Sequence, residues 1–339
     1  MAAPQESIFS DAVALTGQDQ GGSLWNCLAA TTSQPDPFCS TTMWQLAFRE
    51  AIDPERHFVL RQSENGIIQF ARHRTAAGLF VLGPIERLWL FGCNVLGPEG
   101  PQLLDGFLHD LTTSPENLLP GVIVSGIEPN GALASALRHA FSDRYRLNVF
   151  RDEVQCAASL DGGLDGFLAR RSAGHRRNIR RYDRRAREAG VRFERISPAP
   201  ENARDVYERM LAVERASWKG IGNCGMDEPD MRAFYWAMLR RLSQVGAARV
   251  ILAVRDGLDI GYIFGGVHRG IYRGQQFSFD EAYAGMSLGN LLQIEQIRWL
   301  CEERAERYDM GPLQGAAMAY KHHWTEIELP IEAWLISLP

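Results

Sequence analysis

From about residue 36 the apolar positions fall into short runs whose period changes along the chain. Met43 to Ala51 puts Trp44, Phe48 and Ala51 on one side, which is helical spacing. Phe58-Val59-Leu60 and Gly66 to Arg72 then predict two strands joined by the polar turn Ser63-Glu64-Asn65-Gly66. Gly78 to Gly83, Arg87 to Phe91, Gly121 to Ser125 and Arg146 to Gln155 predict further strands, and Gly131 to Phe141 a helix. Gly97 to Pro101 reads as a loop without chemistry. Residues 1–35, rich in Gly, Gln, Ser and Thr, are expected to form a flexible N-terminal arm with at most a short helix.

The second half repeats part of this order. Phe234 to Leu242 predicts a helix, and Arg249 to Val254 and Ile260 to Val267 predict two strands around Asp256-Gly257. Trp44 precedes Phe58 by 14 residues and Trp236 precedes Val250 by 14, which suggests two similar α/β lobes. Tyr272 to Tyr283 predicts a long strand. Ser287 to Ala305 predicts a helix with Leu288, Leu291, Leu292, Ile294, Ile297 and Leu300 on its apolar side. Arg307 to Met310 should be a strand, Gly315 to Trp324 a helix and Ile331 to Ser337 a last strand. Between the halves, Leu164 to Ala189 reads as one strongly basic helix. The expected fold class is α/β with mixed sheets, in an N-terminal lobe at 36–155 and a C-terminal lobe at 156–339 that begins with the basic helix.

Composition agrees with two folded domains: 339 residues, 45% hydrophobic and 23% charged. The net charge of −5 argues against a basic nucleic-acid binder, so attraction to phosphates has to be local. Six cysteines are scattered, with no C-x-x-C pair and no His at ligand spacing. Free thiols in a reducing compartment and no metal are the expectation. The N-terminus lacks a basic segment followed by an apolar run, and no apolar stretch is long enough to span a bilayer. A cytoplasmic location without membrane contact is expected.

Four segments carry candidate chemistry. The junction from Asp280 to Asn290 runs strand, glycine-containing loop, helix. A helix start has unpaired amides and partial positive charge, and glycines allow an anion close to them, so Gly285, Met286, Ser287, Leu288, Gly289 and Asn290 are candidates for holding a pyrophosphate, with Phe279 beside them as a further cofactor-binding candidate; an ordinary turn capped by Ser287 is the plainer alternative. Asp309-Met310-Gly311 with Ala319 to Trp324 places Tyr320, Lys321 and Trp324 on one turn. The basic segment holds nine arginines between Arg170 and Arg187, with Asp183 the one acid among them. Like charges on a helix repel, so nearby phosphates, acids on the other lobe or both would explain the run; Arg177 and Arg181 are the candidates for phosphate contact, with a solvated face as the plainer alternative. Trp218-Lys219-Gly220-Ile221-Gly222-Asn223 suits a substrate-facing flap, or a loop anchored by a buried Trp.

The order FSFDEAY, GMSLGN, amphipathic helix, DMG, AYKHHW resembles the CelD/BcsL-type acetyltransferases, members of the GNAT superfamily related to the Fem peptidoglycan aminoacyltransferases. Ser217-Trp218-Lys219-Gly220 and the segment Ser172 to Arg181 are similar to further motifs of that group. The resemblance spans roughly residues 35–335 and is most specific in the last 180 or so. It implies tandem GNAT-like lobes in a Fem-like arrangement, each with a sheet opened by a splayed strand pair. It also implies direct transfer of an acyl group from an acyl-CoA, acetyl-CoA above all, to an amine of a small molecule or peptide. In the Fem branch an aminoacyl-tRNA is the donor, so tRNA stands as the alternative, and an inactive GNAT-like binding or assembly module as a third reading. The common GNAT loop Q/R-x-x-G-x-G/A is altered here, with Ser287 at the middle glycine and Ala284 at the Gln/Arg position.

Transfer to an amine needs the amine neutral, hence a base. The expected catalytic residues are Asp280 as base or orienter of a water, Tyr320 as proton donor to the leaving thiolate, and Lys321 to neutralise charge or grip a phosphate. In the resembling Fem enzymes the lysine of this helix takes part in transfer. Amides near Phe279 would polarise the thioester oxygen. Trp218, Lys219, Arg177 and Arg181 are expected to hold the acceptor or the donor's tail.

Overall fold

The structure, a computed structural model, describes residues 20–74, 78, 80–113, 121–313 and 315–337. In chain order the first elements are α1 (Gln20–Thr31), α2 (Thr42–Ile52), β1 (Phe58–Gln62), β2 (Ile67–Arg74), β3 (Phe80–Gly83), β4 (Val95–Leu96), α3 (Gly100–Thr113), β5 (Gly121–Ile127), α4 (Ala132–Phe141) and β6 (Arg146–Ser159). There follow α5 (Gly163–Ala169), α6 (Ala173–Glu188), β7 (Arg192–Ile196), α7 (Ala203–Ala216), α8 (Trp218–Ile221), α9 (Pro229–Gln244), β8 (Ala248–Arg255), β9 (Leu258–His268) and β10 (Ile271–Phe279). A 3-10 turn at Glu281–Met286, α10 (Leu288–Glu302), β11 (Arg307–Pro312), a second 3-10 turn at Ala316–His323 and β12 (Ile327–Ser337) complete the chain. It divides into two compact units, Met1–Val154 with Leu329–Pro339, and Gln155–Glu328.

In the first unit β1, β2, β3, β5 and β12 are neighbours in that order, with β4 beside β2. β3 and β5 are parallel, and the other pairs are antiparallel. Leu104, Phe107 and Leu108 of α3 and Leu133 and Leu137 of α4 cover the sheet, and Phe70 stacks on Phe107 at 5.3 Å. The segment read as a loose arm supplies α1, whose Trp25 is buried and donates its indole N–H to Ser40 O at 2.7 Å. Arg87 to Phe91, read as a strand, is instead a turn wrapped around a carboxylate. Buried Glu86 accepts the amides of Leu88 (2.6 Å), Trp89 (2.7 Å) and Leu90 (3.1 Å), and Leu90 takes φ +61°. A side chain that satisfies three successive amides leaves none for a ladder.

In the second unit the order is β6, β11, β10, β9, β8, β7. β10 and β11 are parallel; β6 with β11, and each of β10, β8 and β7 with its next neighbour, run antiparallel. The β8–β9 hairpin turns at Asp256 (φ +51°) and Gly257 (φ +79°), two left-handed residues as a tight hairpin of this kind requires. α10 buries Leu288, Leu291 and Leu292 against Ile251, Ala253 and Ile263, and turns Ile294, Ile297 and Leu300 toward Phe167, Ile179 and Trp324. The expected single basic helix is two. Ser172 breaks it in extended backbone (φ −60°, ψ 150°) and accepts His175 N–H at 3.1 Å as the cap of α6. The long strand expected to reach Tyr283 ends at Phe279 because Asp280 caps the 3-10 turn, accepting Ala282 N–H at 2.9 Å. Among the described residues no helix is long and apolar enough to cross a membrane.

Candidate active site

β10 and β11 pair in parallel only through Ile271↔Arg307, Tyr272↔Tyr308 and Arg273↔Asp309. Beyond Arg273 the two strands part. Both are irregular there: β10 shifts register against β9 between Gly274 and Gln276, and β11 against β6 between Asp309 and Gly311. Bulges bend a strand away from its neighbour. Gly311 has φ +75°, and a Cβ there would lie 2.5 Å from Arg273 Nη1. The buried Arg273 guanidinium thus packs on bare Gly311 backbone at the point of separation, and donates to Gly274 O at 2.9 Å.

Past that point one edge of β10 loses its partner. Asp280 N–H donates to Ile260 O of β9 at 3.0 Å. Alternate residues of a strand turn their amides to opposite edges, so Phe279 directs its N–H to the edge that β11 has left. Phe277 does the same, and its carbonyl on that edge accepts Lys219 Nζ at 2.9 Å. The gap opens into a cavity of about 510 Å³. Gly274 to Phe279 form one wall, Tyr308, Met310 and Gln293 lie opposite, and Met318, Tyr320 and Lys321 come from the 316–323 turn. Trp218, Lys219 and Gly225 complete the rim.

Each of these side chains is held from behind. Trp324 is buried, stacked on Phe167 at 6.4 Å with the His175 ring edge-on at 4.8 Å, which fixes the 316–323 turn on α5 and α6. Lys321 is 4% exposed and donates to Pro312 O at 2.5 Å. Burial lowers its pKa to about 8; the Arg273 charge acts the same way and Cys156 opposes both. Burial also raises the Tyr320 hydroxyl to about 12, so it keeps its proton at neutral pH; its ring meets Phe277 edge-on at 6.0 Å. Ser217 caps α8 by accepting Lys219 N–H (3.2 Å) and Gly220 N–H (3.4 Å), which presents Lys219 inward. Lys219 Nζ reaches Gln276 Oε1 at 2.8 Å and lies 5.7 Å from the Phe277 ring centre. Its pKa is lowered by burial, against the pull of Glu214. Trp218 is not a buried anchor: it is 58% exposed at the rim.

Of the residues singled out in the sequence, Phe279, Tyr320, Lys321, Trp218 and Lys219 come together around this cavity. Asp280 is not on its lining, and one of its oxygens is engaged as the cap. Gly285, Met286, Ser287, Leu288, Gly289 and Asn290 lie next door, at the start of α10. There Ser287 takes φ +58° and makes no side-chain cap bond, and Gly285 has open space where a Cβ would be. A Cβ on Gly289 would meet the Phe277 ring at 3.2 Å, so this helix start touches the cavity wall. Arg177 and Arg181 stand exposed on α6, which packs against α10 and the 281–286 turn. Among the described residues Arg177, Arg181 and Arg185 make no ion pair. Gln276 and Gln293 were missed by sequence reasoning, since nothing in their neighbourhood marks them. No cluster of His, Cys, Asp and Glu able to hold a metal occurs among the described residues. The chain contains two lysines among its 36 basic residues, and both line this cavity.

A parallel strand pair thus splays beside a helix start, with Tyr320 and Lys321 at the gap. Residues 173–322 match the sequence model of the acetyltransferase (GNAT) domain. The fold is Fem-like. FemX shares it with a TM-score of 0.66 at 10% identity, over 93% of this chain and 96% of that one. A conserved protein of unknown function from Bacteroides thetaiotaomicron superposes with a TM-score of 0.65 at 11% identity, over 95% and 99%. The L-PGS of Bacillus licheniformis gives 0.57 at 16% identity, over 95% and 93%. No curated protein matches by sequence.

Proposed function

We propose that this protein transfers an acyl group from an acyl-CoA thioester to the amine of a small molecule or peptide, in the cavity where β10 and β11 part. The observation that carries the reading is the convergence of a free strand edge at Phe279 with Tyr320 and Lys321. A CoA thioester supplies an activated carbonyl. The first amides of α10, uncapped by Ser287, suit its pyrophosphate. Phe279 N–H holds the carbonyl oxygen, a contact typically worth ~10²–10³ in rate. Lys321, neutral in a useful fraction near pH 8, takes the proton from the attacking amine as the C–N bond forms. Tyr320 gives its proton to the sulfur as the C–S bond breaks. Asp280 serves in this reading as the cap that ends β10 and aims Phe279.

The arginines of α6 favour a second donor. Exposed guanidiniums without acidic partners fit a longer polyanion, so an aminoacyl-tRNA is the alternative. Acetyl-CoA and a series of longer acyl-CoAs are expected to raise the melting temperature, and Lys321→Ala to slow thiol release by ~10²–10⁴. If no acyl-CoA stabilises the protein and tRNA binds with a steep salt dependence that Arg177→Ala and Arg181→Ala flatten, the CoA reading is wrong and the tRNA reading stands.

A further inference from the structure

The cavity wall carries two amines, Lys321 buried and Lys219 half-buried, and, among the described residues, no Asp, Glu or His. Each ammonium has three N–H donors. Lys219 uses two, on Gln276 Oε1 and Phe277 O, and Lys321 uses one, on Pro312 O. Neither lysine forms an ion pair with a described residue. Glu214, the acid whose charge acts on Lys219, is fully buried, and its two oxygens accept Tyr262 OH and Met226 N–H, each at 2.9 Å. Unpaired buried charge is unfavourable until an opposite charge joins it. All the other basic residues of the chain are arginine. A compact ammonium is therefore kept only at these two positions, where a planar guanidinium with its wide fork would not replace it.

We propose that the acceptor amine carries a carboxylate, that it is of the amino-acid class, and that Lys219 is the residue that seats the carboxylate. This rests on the acyl-transfer reading and assigns its acceptor. One ammonium matches one carboxylate charge, which leaves Lys321 to the base role assigned above. The spacing agrees. Phe277, whose carbonyl holds Lys219, is two residues from Phe279, where the carbonyl under attack is held, roughly 6.6 Å along the strand. An α-amino group and its carboxylate are separated by a single carbon, so an amine attacking at Phe279 brings its carboxylate to the neighbouring position. Burial lowers the Lys219 pKa, and a carboxylate seated beside it acts the other way and holds the ammonium charged.

The test uses the full chain with a panel of N-acetyl amino acids, mimics of the product, each beside its neutral carboxamide, with binding measured by calorimetry at pH 7. At least one acid is expected to bind ten-fold or more tightly than its amide, and Lys219→Met to close that gap. Acids that bind no better than their amides across the panel overturn the inference, as does a gap that survives Lys219→Met. The wild-type comparison stands by itself if the variant does not fold. Acetyl-CoA stabilisation of the same preparation reports on the donor separately. Stabilisation without acid preference sinks this inference alone, and acid preference without stabilisation sinks the CoA reading alone.

Discussion

Lys321 sits where burial and function pull in opposite directions. Its folded pKa of about 8 lies below the 10.5 of an exposed lysine. The unfolded chain therefore binds more protons between these values, and stability rises with pH across that window. Below about pH 8 the penalty is fully present, roughly 3 kcal/mol by the size of the shift. Lys321→Met is accordingly expected to unfold at higher urea than the wild type at pH 7, and to lose that advantage above about pH 10.5. A variant no more stable than wild type at pH 7 would mean that this ammonium is well solvated or paired. At this scale the sequence was informative where a residue type is rare for its place. Trp218, Lys219, Tyr320 and Lys321 stood out by motif, and the restriction of lysine to two positions was there to be counted. The side chain of Asp280 looked catalytic because a carboxylate beside a glycine loop suits a base; that a carboxylate at the end of a strand also suits a cap is decided by the backbone that follows it.

Among the elements, the parting of β10 and β11 depends on backbone that only glycine accommodates. Gly311→Ala places a Cβ 2.5 Å from Arg273 Nη1 at φ +75°. The variant should lose about 1–3 kcal/mol in denaturant melts, and should lose acyl-CoA stabilisation more than Leu335→Ala, a change of the first unit. Equal loss in both would detach the bulge from the site. Strand alternation and helical period gave β1, β2, β5, β8, β9, α4, α9 and α10 nearly as found, because their apolar faces repeat. The errors cluster where a single polar side chain redirects the backbone: Glu86 gathers the amides of 88–90, Ser172 divides α5 from α6, and Asp280 turns β10 into a 3-10 segment. Periodicity carries no information about such bonds. The splay itself was expected from family resemblance; no pattern of apolar residues announces where two parallel strands separate.

Over the whole molecule, a chain of net charge −5 carries seven arginines on α6 and places both its lysines on the wall of one cavity. The helix–hairpin repeat read from Trp44 and Trp236 recurs in the structure as α2–β1–β2 and α9–β8–β9. Two α/β lobes were thus legible from order and spacing and the acyltransferase fold from the family resemblance, while the donor and acceptor depend on which ligands the gap in the second unit admits. The most direct measurement is the structure of the protein crystallised with acetyl-CoA. The acetyl oxygen is expected about 3 Å from Phe279 N, beside Tyr320 and Lys321, with the pyrophosphate at the start of α10. Acetyl-CoA bound away from the β10–β11 gap, or absent at saturating concentration, would contradict the account.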